Sequence, residues 1–190
     1  MATFAQAPQD LTSYEYRLFN KMAVGMDAFH EGFRQTWTEL LSICNAGRLP
    51  SDITPGAYVG KFLEWCAALD RHHALEEEHV FPKLGMKMPV FRPDFSEPSI
   101  DQKGCKTRPE IYAQHREIHT GLDTLHEYLK AWAREEKIEV DLVEIKRQMD
   151  GFGEVLWRHM DEEVQMLKAE NMMLYWTKEE MEGLPFKVKS

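Results

Sequence analysis

Four stretches of this chain carry apolar residues at steps of three and four, and each stripe is broken at one level by histidine or glutamate. Such steps place side chains on a single face of an α-helix. The first stripe runs Phe19, Met22 and Met26, then His30, then Phe33, Trp37, Leu41 and Cys44. The second runs Tyr58, Phe62, Trp65 and Leu69, and its rhythm lands on His72, Glu76 and His79. The third is Ile111, His115, Ile118 with His119, Leu122, His126 and Leu129. The fourth is Leu142, Ile145, Met149, Phe152, Leu156, His159, Glu163 and Met166. Alternating steps of three and four make the seam of a left-handed bundle. The pattern predicts an all-α protein, an up-down-up-down four-helix bundle.

Local signals place the helix ends. Thr12 with Glu15 forms a capping box for the first helix, and Gly47 ends it. Thr54 caps the second helix with Pro55 at its first position, and Pro82 is expected to close it. The third begins around Pro109 and leads into a charged link, Glu135-Glu136-Lys137; the fourth starts near Asp141. Gly151 and Gly153 lower its propensity and invite a neighbour to approach. Residues 82 to about 107, punctuated by Pro89, Pro93, Pro98 and Gly104, form a long connection between helices two and three. Its Met86, Met88, Val90, Phe91 and Phe95 suggest packing across one end of the bundle. The expected organisation is a loose arm over 1–11, the bundle over 12–170 and a short C-terminal extension over 171–190. In that extension the chain leaves the bundle, and Thr177 and Glu180 cap a last short helix before Lys187-Val188-Lys189.

A length of 190 residues suits one well-cored domain. A net charge of −9 argues against nucleic acid and anionic membrane surfaces as partners. The N-terminus has neither a basic start nor an apolar run, so no signal peptide is expected, and no segment reaches membrane-spanning length. Cys44, Cys66 and Cys105 are odd in number and widely spaced, as expected of reduced thiols in the cytoplasm. No CxxC is present, which disfavours a thiolate zinc site.

The interruptions carry the chemistry. A lone histidine on an apolar face is more often a hydrogen-bonded core residue than a ligand. Here all four helices place polar donors on the seam at corresponding levels: His30; His72 with Glu76; His115 with His119; His159 with Glu163. Burying such groups is costly unless they are paired or bind metal. Nitrogen and oxygen donors without thiolates suit iron, manganese, zinc or copper. Seven side chains exceed what one ion uses and fit two ions sharing the carboxylates. The spacing is His-x-x-x-Glu and His-x-x-x-His, not the Glu-x-x-His of carboxylate-rich di-iron bundles. Histidine-rich ligation leaves metal charge uncompensated, which favours reversible uptake of dioxygen over its cleavage. The doubled His72-His73 and Glu76-Glu77 leave a one-step register ambiguity, in which the seam through Trp65 and Leu69 favours His72 and Glu76 over His73 and Glu77. His73 is then expected at the surface or behind the ligands, and His126 in the core or at its boundary. His79 stands one rung beyond Glu76.

These segments resemble the hemerythrin-like, or HHE, family. The stretches from His72 to Pro82, from His115 to His119 and from Leu156 to Glu163 look like its three signature blocks, with His30 as the isolated first ligand. The likeness spans roughly residues 14 to 168; the 82–107 connection and the stretch from Glu170 to Thr177 look like a fungal-type subgroup. The resemblance implies two iron ions joined by an oxo or hydroxo group. His115, His119 and His159 would hold one ion; His30 and His72 would hold the other, with an open position; Glu76 and Glu163 would bridge. Marine oxygen-carrying hemerythrins end in an aspartate five residues after the last histidine, where this chain has Val164. Glu163, at four, fits the broader HHE pattern and weakens a respiratory role.

Three functions are consistent with this reading. One is a protein binding dioxygen, nitric oxide or peroxide. Another is an oxygen-dependent oxidase or oxygenase acting on a small organic substrate, with Met86, Phe91, Tyr175 and Trp176 as candidate pocket walls. The third is iron storage or sensing through a partner protein. A site sealed by Phe33, Trp37, Trp65 and Leu156 admits only diatomic molecules, whereas a wider cavity implies a substrate. Whether the chain is an enzyme stays open at this level, and a monomer is the expected state.

Overall fold

The computed structural model describes residues 12–93, 99–100, 106–107, 111–135 and 139–186. Four long helices dominate: α1 (Ser13–Ala46), α2 (Pro55–Leu75), α4 (Ile111–Arg134) and α5 (Leu142–Met166). Between α2 and α4 lie a π-helical turn (Glu76–Val80), the short α3 (Phe81–Gly85) and a 3₁₀ turn (Pro89–Phe91). A minimal antiparallel ladder follows, β1 (Ser99–Ile100) with β2 (Lys106–Thr107). Two short helices follow α5, α6 (Ala169–Tyr175) and α7 (Lys178–Glu182). Successive long helices pack side by side, and α5 closes the ring on α1. All four contacts are antiparallel. Tyr58 meets Leu40 while Trp65 meets Phe33; His30 meets Met160 while Trp37 meets Phe152. Likewise His119 meets Asp70 while His115 meets His73, and His115 meets His159 while Gly121 faces Phe152. The up-down-up-down bundle is therefore observed.

The ends follow from the residues there. Thr12 accepts from the Glu15 amide while Glu15 accepts from the Thr12 amide, and Gly47 turns the chain at φ 66°. The Asp141 carboxylate accepts from the Glu144 amide, and Thr177 and Glu180 form a second capping box. Pro82 does not close the second helical run. The Phe81 amide bonds back five residues to the Glu76 carbonyl, which resets the hydrogen-bond register. Pro82 then falls in the first turn of α3, where an amide hydrogen is not required. The N-terminal arm, the start of α4 near Pro109, Glu136-Lys137, Phe95, Pro98, Gly104, Cys105 and the Lys187-Val188-Lys189 tail lie outside the described residues.

Two separate apolar cores fill the bundle. One gathers Trp37, Leu40, Tyr58, Phe62, Trp65, Leu125, Ile145 and Phe152 with their neighbours. The other gathers Met22, Met26, Phe81, Phe91, Ile111, Leu167, Met172 and Trp176 with theirs. Chain beyond Glu170 therefore does not leave the bundle: Met172, Trp176, Met181 and Leu184 are apolar and bury in this second core. Two lysines fix its last turn, Lys21 donating to the Leu184 carbonyl (3.0 Å) and Lys83 to that of Gly183 (2.7 Å). The early part of the 82–107 connection packs into the same core through Leu84, Met88, Val90 and Phe91. Between the two cores every long helix contributes polar residues at one level. No helix among the described residues is long and apolar enough to cross a membrane.

Candidate metal centre

The polar layer contains His30 from α1, His72 and His73 from α2, Glu76 from the π turn, His115 from α4, and His159 and Glu163 from α5. Adjacent helical residues diverge by about 100°, so His72 and His73 straddle the inward direction. The His72 ring turns toward α1, 5.3 Å from His30 and 5.1 Å from Phe33. The His73 ring turns the other way, stacked 4.0 Å from His115 and 5.3 Å from His159. Both registers of the doubled His-His pair are thus used. His73 is buried, not at the surface, because the inward face of this helix is wide enough to take two adjacent residues.

Two groups of ligand atoms result, each with its atoms within 4.8 Å of one another: His73, Glu76, His115 and His159; and His30, His72, Glu76 and Glu163. Glu76 belongs to both. One of its oxygens lies 2.9 Å from His72 Nε2 and the other 3.5 Å from His115 Nε2. Glu163 also stands between the groups, its Oε2 3.2 Å from His30 Nε2 and 3.8 Å from His159 Nε2. Six of the seven residues expected from the sequence meet here. The seventh, His119, does not: its side chain is 30% exposed and lies 3.5 Å from Asp70, with the His73 ring 5.2 Å away on its inner side. His79 is exposed and His126 half-buried at the edge of α4.

Outer residues aim the rings. Nδ1 of His30 lies 3.1 Å from the Met160 carbonyl and donates to it, which leaves the Nε2 lone pair facing the Glu163 carboxyl group. Nδ1 of His115 lies 2.7 Å from Glu77, which turns its Nε2 toward His159 Nε2 at 3.1 Å. Two nitrogens about 2.1 Å from one ion lie roughly 3.0–3.4 Å apart in octahedral or tetrahedral geometry. Glu77, a residue that helical periodicity assigns no role, is therefore part of the centre's support.

Burial sets the charge states of the metal-free side chains. It pushes His72 and His115 down to about 3, with His30 among the neighbours that reinforce the shift in both. It holds His73 and His159 well below the usual imidazole range, aided by the facing histidines. Burial likewise raises Glu76 well above the carboxylate range, with Glu163 and Glu77 adding repulsion. It raises Glu163 too, against the opposing influence of His30. The atoms are also orphaned. Nε2 of His30 and His72, both nitrogens of His73, Nδ1 of His159 and all four oxygens of Glu76 and Glu163 are buried without a hydrogen bond. Several are close enough in distance but lack the alignment for one. Each unsatisfied buried group costs about 1–3 kcal/mol. A cation among them satisfies many at once and reverses the bias against ionised carboxylates. The donor set, all nitrogen and oxygen, fits a transition-metal ion.

The sequence profile of the hemerythrin HHE cation-binding domain matches residues 21–170. The chain belongs to this family. As a hemerythrin HHE domain it carries a metal-binding site of histidine and glutamate side chains, and the matched span takes in all four long helices from Lys21 onward together with α3. Comparison with curated proteins and with solved structures returned no match.

Proposed function

We propose that this hemerythrin HHE domain holds two iron ions and binds dioxygen, or a related small molecule such as nitric oxide or peroxide, in the cytoplasm. The observation that carries the proposal is the pair of ligand groups sharing Glu76. His73, His115 and His159 hold one position; His30 and His72 hold the other; Glu76 and Glu163 join them. Iron supplies reversible electron exchange with a small oxidant. The chain does the rest. Met160 and Glu77 accept the Nδ1 protons of His30 and His115, so each ring presents Nε2 inward. The two apolar cores exclude water from both ends of the layer. Cys44 and Cys66 are buried free thiols and belong to neither ligand group.

The test is anaerobic loading with ferrous iron, metal analysis, and exposure to oxygen. Two irons per chain and a reversible charge-transfer band are expected. One zinc with negligible iron after reconstitution defeats the reading.

One observation favours a second reading, an oxygen-dependent oxidoreductase acting on a small organic molecule. A cavity of about 460 Å³ reaches His72 and Glu76, well above the size of a diatomic ligand. Its walls are not the residues expected from the sequence. Phe91 and Trp176 are buried in the second core and Met86 is exposed at the end of α3. Trp37, Trp65 and Leu156 do back the layer on one side, while Phe33 lines the cavity.

A further inference from the structure

The cavity beside the second ligand group has a polar floor, apolar walls and, among the described residues, a single guanidinium at its rim. Its floor is His72 and Glu76. Met26, Phe33, Ala68 and Phe186 supply apolar wall. Phe29 and Leu75 line it too and are 55% and 56% exposed, which marks the mouth, where Arg71 and His79 are also exposed. Large apolar side chains left half in water around a concave opening are a signature of ligand binding.

We propose that this cavity binds an apolar monocarboxylate of medium chain length, with its carboxylate on Arg71 at the mouth and its apolar body against the His72 and Glu76 wall. Volume sets the size. At roughly 30 Å³ per non-hydrogen atom, the share of one liquid water, about fifteen atoms fit. Charge sets the class. The residues three and four away from Arg71 on α2 are Ala67, Ala68, Ala74 and Leu75, none acidic, and Arg71 makes no ion pair among the described residues. Three half-buried lysines elsewhere are paired, Lys61 with Glu39, Lys146 with Asp150 and Lys87 with Glu180, but none of them lines this cavity. In a chain of net charge −9, an unpaired arginine beside an apolar mouth selects an anionic head on a hydrophobic body. Glu76 in the floor and Glu163 behind it disfavour a third carboxylate at the deep end and so orient the ligand head-outward.

The proposal deepens the second reading above and rests on it for the ligand's role as substrate; binding itself does not require iron. Decanoate and 1-decanol are titrated calorimetrically into iron-loaded and metal-free protein, with iron measured in each sample. Decanoate is expected to bind once per chain in both forms, at least tenfold more tightly than decanol. Arg71→Gln, a surface change, should erase that preference. Ala68→Phe should abolish both titrations with an unchanged circular dichroism spectrum. Absence of decanoate binding, equal affinity for decanol, or binding that needs iron and ignores Arg71→Gln overturns the proposal. Binding in a protein that takes up no iron leaves it standing and defeats only the di-iron reading; iron uptake without binding does the reverse.

Discussion

His72 and His73 are neighbours in the chain and yet face opposite groups, and this divergence sets which histidine rings meet in the polar layer. His73 stacks on His115 inside the layer, whereas His119, one turn along α4, faces Asp70 at the rim. His73→Ala should therefore remove iron from the first position, while His119→Ala should leave stoichiometry near that of the unaltered protein. Atomic absorption on the two variants side by side checks this, and equal losses would restore His119 to the ligand set. Glu77→Ala frees Nδ1 of His115 and should weaken metal binding by about 10–100-fold, read from competition with a chelator. The seam residues His30, His72, Glu76, His115, His159 and Glu163 were legible because each replaces a hydrophobe in an unbroken rhythm. His73 was not, because a stripe counts one residue per turn, while a helix facing three others can bury two adjacent ones. Glu77 escaped for a different reason. It is 41% exposed and acts through its contact with His115, which periodicity on its own helix does not reveal.

The four long helices were legible from spacing and caps, since Thr12, Gly47, Thr54 and Asp141 act through neighbours three or four residues away. The π turn was hidden, because Glu76–Val80 carries no residue type that demands it and only the hydrogen-bond register identifies it. The cavity was hidden too. Phe186 joins Met26 and Phe33 only after the chain has folded back over α1. Glycines divide along the same line. A Cβ on Gly121 would sit 2.5 Å from Phe152, so this residue sets how closely α4 and α5 approach. A Cβ on Gly153 would meet Trp37 at 3.1 Å, whereas one on Gly151 would meet nothing within 4 Å, and Gly151 is exposed. Alanine gains about 1 kcal/mol over glycine in a helix interior, and overpacking costs about 1–3 kcal/mol. Gly151→Ala should thus stabilise the fold by up to about 1 kcal/mol, and Gly121→Ala should destabilise it despite the same gain in propensity. Urea melts of both variants test this, and a stabilised Gly121→Ala would mean the α4–α5 contact yields easily.

For the molecule as a whole, the polar layer between two apolar cores makes metal and proton alternative ways of satisfying the same groups. In the metal-free fold the buried histidines His72, His73, His115 and His159 all lie below the ordinary value of 6.5, with His72 and His115 at about 3. Below pH 6.5 the unfolded chain takes up protons that the fold refuses, so stability falls as pH drops from there toward 3. Glu76 and Glu163 act in the opposite sense. Both lie above 4.5, so the fold keeps protons that the unfolded chain releases, and stability falls as pH rises from 4.5 through their folded values. Between 4.5 and 6.5 four histidines outweigh two carboxyls; above 6.5 the histidines add nothing further and any remaining slope belongs to the carboxyls. The gain in stability of the metal-free protein with rising pH should therefore stop near pH 6.5. Bound metal holds imidazoles neutral and carboxylates ionised, which removes the loss on the alkaline side. The thermal midpoints of loaded and metal-free protein should separate further as pH rises from 6.5 to 8. Melts of both forms across pH 5 to 8 measure this. A metal-free midpoint that runs parallel to that of the loaded protein from pH 6.5 to 8 would show that Glu76 and Glu163 ionise freely in the fold, and that the layer does not require a cation to hold their charge.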